Sequence, residues 1–187
     1  MKVLHTGLIA VFCSLFVLSA IPALAEKTPE ELAKESQEAC VASASTKPTP
    51  QMVIDKVEKA AALLQKEGKA AFPKFQGKDS EFIFAGTYII ITDLAGTMRM
   101  HPIMYKMDGK NVIDAKDSNG KLIQVAYNEV AKTKGAGWVD YMWPKPGEKT
   151  ASLKVTYVKL VKVEGEDLIV ACGIWDVPPE EVQKLEK

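Results

Sequence analysis

The chain has 187 residues, 24 basic against 24 acidic side chains and a formal net charge of zero. That balance offers no electrostatic attraction for nucleic acid or for an anionic membrane surface. The three cysteines, Cys13, Cys40 and Cys172, form no CxxC or CxxCH spacing. Redox-dithiol, haem and zinc-finger readings therefore lack their ligands.

Residues 1–25 read as a secretory signal peptide. Lys2 precedes an apolar run from Val3 to Leu18, and Ala23-Leu24-Ala25 supplies a small-x-small cleavage site. The bulky Phe12 before Cys13 does not suit a lipid-anchor signal, and Pro22 favours cleavage over retention as a membrane anchor. Cleavage leaves 162 residues, from 187 − 25, enough for one domain with a full core. The expected location is periplasmic or secreted. Residues 26–75 form the helical N-terminal part of that domain, and 76–187 its sheet and pocket.

Thr28, Pro29 and Glu31 make a capping box that opens a helix. "TKPTP" breaks it, and Thr49-Pro50 restarts it. Val53, Val57, Ala60 and Leu64 then lie on one face. This predicts a long amphipathic helix, bent near Gly68 and ended before Pro73. "EFIFAGTYIIITD" reads as a strand, "DLAG" as a turn and "TMRMHP" as a second strand that Pro102 stops. After a loop in which Asp114, Asp117 and Asn119 form a helix-capping turn, a second helix follows. Leu122, Ala126 and Val130 set its apolar face, and Gly135 lies past its end. Three strands close the chain, at 137–143, 153–164 and 168–176, joined by "PKPG" and "EGED". Short turns imply antiparallel neighbours. The fold class is α+β: a five-stranded antiparallel sheet, with the long helix on one face and the 102–134 segment enclosing a cavity on the other.

Catalysis finds little support. Beyond the leader the one histidine is His101, and neither a GxSxG elbow nor metal-ligand spacing is present. Binding finds more. Residues two apart on a strand share a face, so Tyr141 and Trp143 point the same way, as do Arg99 and His101. Lys154 enters the next strand across the "PKPG" turn. Two aromatic walls and a few fixed cations suit a small organic anion. Cys40 and Cys172 leave two readings open, a disulfide tying the two ends of the domain or two buried thiols.

"DLAGTMRMHP", "GKNVIDAKDSNGK", "GAGWVDYMWPKPGEKTASLKVTYVKLV" and "LIVACGIWD" together resemble the successive blocks of the second type of single Cache domain. That resemblance, from about Phe82 to Asp176, implies a PAS-like extracytoplasmic sensor that binds small molecules, often short carboxylates. It implies ligand contacts from Tyr141, Trp143, Lys154 and His101, with Arg99, Tyr88 and Tyr157 as weaker carry-overs. Tyr157 has the strand parity of a core residue instead. Thr156 stands where the family has Ser, and Trp175 where it has a closing Tyr. No signalling module follows Asp176, so the expectation is a stand-alone exported domain without enzymatic activity or cofactor. It would hand a small organic acid to a membrane receptor or histidine kinase. The alternative is an interaction module with no small ligand, able to form a homodimer through its N-terminal helix.

Overall fold

The computed structural model describes residues 27–185, so the leader expected at 1–25 lies outside the described residues. Two α-helices come first, α1 (Pro29–Ser43) and α2 (Pro50–Glu67). Each begins as its local chemistry dictates. The Thr28 and Glu31 side chains satisfy each other's backbone N–H groups, and Thr49 Oγ1 accepts from Met52 N at 3.2 Å. The helical run does not bend at Gly68 and stop before Pro73, as expected. The α-helix ends at Glu67, and a 3-10 stretch, Gly68–Phe75, carries the chain through Pro73. Gly68 has φ +66, which breaks the α ladder, while the looser i→i+3 pattern accommodates the proline.

The sheet contains β1 (Ile83–Phe84), β2 (Thr87–Asp93), β3 (Met98–Met100), β4 (Ala136–Pro144), β5 (Ala151–Val163) and β6 (Glu166–Trp175), all pairs antiparallel. Its order is β1-β2-β6-β5-β4, with β3 against β2. The first expected strand is two. Ala85 and Gly86, both at positive φ, make a two-residue turn that folds β1 onto β2. Helix α3 (Ile123–Lys134) crosses between β3 and β4, and a short α4 (Pro179–Gln183) follows the sheet.

Two apolar layers sandwich the sheet. On one face Val53, Val57, Ala60 and Leu64 of α2, all fully buried, pack on Ile89, Ile91, Val155, Val170 and Ile174. On the other, α3 covers Val139, Tyr141, Val158, Ile169 and Ala171. The inward face of α3 is one residue away from the expected one. Ile123, Tyr127 and Ala131 are buried, while Leu122, Ala126 and Val130 are only half-buried. The same turn of the helix buries two polar side chains, Gln124 and Asn128.

Candidate functional site

Between α3, the 105–117 loop and the sheet lies a cavity of about 70 Å³. A water-sized sphere takes roughly 10–15 Å³ on this measure, so the hollow holds about five to seven non-hydrogen atoms. Its walls are Tyr88, Ile90, Met98, His101, Met107, Val112, Ala115, Ile123, Gln124, Tyr127, Tyr141, Trp143 and Lys154. Tyr88 and Trp143 also border a surface cleft lined by Ile103, Met104 and the 144–148 turn.

Strand register explains how the aromatic residues and the lysine meet. Tyr141 lies directly across from Lys154, and Trp143 across from Ser152. Directly opposed residues share a face, so Tyr141, Trp143 and Lys154 converge. Tyr88, two positions before Ile90 on β2, joins them.

Arg99 does not. The pairs Ile91↔Met100 and Thr92↔Met98 leave Arg99 as the extra residue of a bulge in β3. The bulge changes which side the following residues face: Met98 lines the cavity, whereas Met100 packs in the α2 layer. Arg99 is spent on Asp93 at 3.3 Å and Glu166 at 3.2 Å. The expectation that Arg99 and His101 share a face is thereby corrected. Tyr157 packs against the α2 layer, on the side its parity indicated.

Lys154 is 5 % exposed and forms no salt bridge among the described residues. Its ammonium sits 4.0 Å from the centre of the Trp175 ring and 5.3 Å from that of Tyr88. Cation–π contact offsets part of the lost hydration. Burial still drives its pKa down to about 8. The indole that replaces the family's tyrosine is thus the floor on which the lysine rests. Trp175 Nε1 in turn donates to Trp143 O at 2.9 Å, and Lys145 pairs with Asp176 at 2.7 Å. These two contacts fasten the tip of the "PKPG" hairpin to the end of β6.

His101 is 5 % exposed, and its Nδ1 accepts N–H groups from Ile103 at 3.2 Å and Met104 at 2.9 Å. The proton of the neutral ring is therefore assigned to Nε2. Burial, reinforced by the nearby Lys154 charge, holds its pKa down at about 3, so the ring is neutral at every physiological pH.

A hydroxyl chain completes the polar end. Thr156 Oγ1 donates to Tyr141 Oη at 3.0 Å, and Tyr141 Oη and Tyr127 Oη are 2.6 Å apart. One proton joins the two phenols, so one phenolic O–H is left over whichever of them donates. Burial pushes Tyr141 up to about 12 and Tyr127 and Tyr88 well above the usual range, which keeps all three as O–H donors.

Asp117 does not cap α3, whose N-cap is Leu122. Its carboxylate instead accepts backbone N–H groups from Asn119, Lys121 and Met142 at 2.8–2.9 Å, pinning the loop to β4. Among the described residues no group of three His, Cys, Asp or Glu could hold a metal. Cys40 and Cys172 are both buried and unbonded. Cys40 lies beside Ile83 and Tyr88, whereas Cys172 is in the α2 layer, with Thr87 Oγ1 3.5 Å from its Sγ.

A half-open, mostly apolar hollow with one buried lysine in its wall lies against an antiparallel sheet flanked by helices, the architecture of a Cache-type sensor domain. The chain belongs to the single Cache domain 2 family, whose model matches residues 51–184. It is 33% identical over 100 residues to the methyl-accepting chemotaxis protein McpP of Pseudomonas putida, covering 52% of this chain and 18% of the receptor. The chain thus spans under a fifth of that relative's length. Among solved structures it shares its fold with a periplasmic sensor domain of a chemotaxis protein, at TM-score 0.52, 23% identity, 78% of this chain and 98% of that one. A Cache chemosensory domain described for its carboxylic acid recognition matches at TM-score 0.52 and 24% identity over 78% of this chain and 93% of that one. No helix among the described residues is long and apolar enough to cross a membrane.

Proposed function

We propose that this chain is an extracytoplasmic sensor domain that binds a short monocarboxylic acid in the β4–β5 cavity and catalyses no reaction on it. The observation that carries this reading is Lys154, a buried ammonium facing an open hollow with no carboxylate to neutralise it. A charge so placed costs free energy until an anion arrives. The donors around it suit a carboxylate: the ammonium, the Nε2–H of His101, the Tyr88 hydroxyl and the spare phenolic proton of the Tyr127–Tyr141 pair. The low dielectric strengthens each of these contacts.

The lining also supports discrimination. Lys154 is the one charged residue among the cavity walls, so a second carboxylate would find no cation and an ammonium group no anion. Dicarboxylates and amino acids are disfavoured for that reason, and the hollow's size favours acids of about four to seven non-hydrogen atoms. The bound state would be read by a membrane receptor or a histidine kinase.

Thermal-shift assays with acetate, propanoate, lactate, pyruvate and butanoate test this, with succinate and alanine as controls. A rise in Tm with monocarboxylates alone is expected. If no acid raises Tm, the sensor reading is withdrawn.

Acid binding should also follow the protonation of Lys154. Affinity stays level from pH 6 to about 7.5, then falls tenfold per pH unit above about 8, because the free site must regain its proton before it can pair the anion. Calorimetry at pH 7 and pH 9 should differ about tenfold. His101, neutral throughout, adds no step to the profile. A flat profile would exclude the ammonium as the anion's partner.

A further inference from the structure

Carboxylate capture uses the charge of Lys154 and leaves its amine chemistry idle. The residue is buried in the wall of the hollow, its Nζ over the rings of Trp175 and Tyr88 and without a carboxylate partner among the described residues. A lysine is a nucleophile only as the free amine, and bulk water or an ion pair normally keeps it protonated. Burial without a counter-ion removes both of those supports. With a pKa of about 8, the free amine at pH 7.5 is on the order of a hundred times more abundant than in a solvated lysine. The nearby thiols do not compete. Burial holds Cys40 up at about 12 and Cys172 at about 11, and neither lines the hollow.

The surroundings select the electrophile. The hollow admits about five to seven non-hydrogen atoms, and it shares Tyr88 and Trp143 with the surface cleft. Condensation with a neutral aldehyde would leave an iminium as poorly compensated as the ammonium it replaced. A 2-oxo acid carries a carboxylate on the carbon next to its carbonyl. One molecule then supplies both the carbon to be attacked and the counter-ion. The Nε2–H of His101 and the phenolic hydroxyls remain as neutral donors to that carboxylate.

We propose that Lys154 is a Schiff-base site for short 2-oxo acids, condensing reversibly with the C2 carbonyl of an acid held in the hollow. This rests on the carboxylate reading above and deepens it. Nζ gives up a proton and its lone pair attacks C2. The C–N bond forms and the carbonyl π pair moves onto oxygen, which takes up a proton. The nitrogen lone pair then closes the C=N bond as the C–O bond breaks and water leaves. One ammonium and one carbonyl thus give one protonated imine and one water, with no net proton exchange and no change of oxidation state. The Tyr88 hydroxyl and the spare proton of the Tyr127–Tyr141 pair are the O–H donors in the same wall for the departing oxygen. Hydrolysis returns the acid unchanged, so the condensation is a mode of binding and not a turnover.

Reductive trapping tests it. The wild-type chain is incubated at pH 7.5 with sodium cyanoborohydride and either pyruvate or lactate, which has the same carbon skeleton without the carbonyl. Intact mass and peptide mapping follow, beside thermal shifts with the same acids. The expected result is a single carboxyethyl addition from pyruvate, located at Lys154 and formed at least about tenfold faster there than at any other lysine. Excess propanoate should slow it, lactate should give none, and Lys154→Met should lose it while Lys121→Met keeps it. If pyruvate raises Tm but Lys154 gains no adduct, or if the addition spreads evenly over the lysines, the Schiff base is overturned and the carboxylate reading stands. Absence of both the adduct and any rise in Tm removes the two together.

Discussion

Lys154→Met is expected to weaken acid binding about a hundredfold and, at the same time, to make the unliganded protein more stable. The two effects share one cause. An unfolded lysine has a pKa near 10.4, whereas burial holds Lys154 at about 8. Below pH 8 the folded state carries the ammonium in a place that penalises it, and each tenfold loss of proton affinity is worth about 1.36 kcal/mol. The full cost, on the order of 3 kcal/mol, is present at neutral pH. It disappears as pH rises from 8 to beyond 10.4, because only the unfolded chain is then still protonated. Methionine keeps the length and flexibility of the stem, rests on the Trp175 ring and has no charge to desolvate. The variant should therefore gain several degrees in Tm at pH 7, with a gain that shrinks towards pH 10. Its affinity for acids should drop by about 2–3 kcal/mol, close to a hundredfold, as one charge-assisted partner is lost. Thermal melts with and without propanoate measure both. A methionine variant that is less stable than wild type at pH 7 would mean that something on the protein already compensates the ammonium.

How far the sequence foretells this site depends on what kind of geometry each part uses. Tyr141, Trp143 and Lys154 are legible because strand alternation has period two and the "PKPG" turn joins neighbouring antiparallel strands. Parity alone then places them on one face. For Arg99 and His101 the same rule fails, since one bulged residue shifts the alternation and no local signal in "TMRMHP" announces it. The α3 face is displaced by one position for a related reason. Leu122, Ala126 and Val130 are the more apolar set, but the helix buries Ile123, Tyr127 and Ala131 together with Gln124 and Asn128. A pattern search that rewards hydrophobicity discards polar residues, and here the polar ones line the cavity or brace its wall. The resemblance to the Cache blocks identifies the fold. In the sequence, Trp175 in place of the family's closing tyrosine reads as the loss of a phenol, whereas in three dimensions it supplies the aromatic face beneath Lys154.

Gly173→Ala should disable the site without replacing any residue that contacts the ligand. Gly173 pairs with Thr156 on β5, next to the Trp175–Lys154 pair, on the cavity side of β6. A methyl group there would stand 2.2 Å from Lys154 Cε and 2.2 Å from Thr156 Oγ1. Both separations are far inside van der Waals contact, so something must move. The β5–β6 ladder is continuous and buried at this point, and overpacking it would cost about 1–3 kcal/mol. The flexible lysine stem yields most easily. Its displacement lifts the ammonium off Trp175 and away from the hollow, and a shifted Thr156 releases its bond to Tyr141. Acid affinity should fall at least tenfold, with a modest drop in Tm. A double-mutant cycle separates this mechanism from general damage. If Gly173 acts by making room for the lysine, adding Gly173→Ala to Lys154→Met should cost clearly less stability than Gly173→Ala costs in wild type, because the uncharged methionine repacks and only the crowding of the Thr156 hydroxyl remains. Additive losses in the double variant, or an alanine variant that binds acids as tightly as wild type, would show that the glycine is not there for the lysine. The stability of this part of the sheet and the placement of its one buried cation would then have to be explained separately.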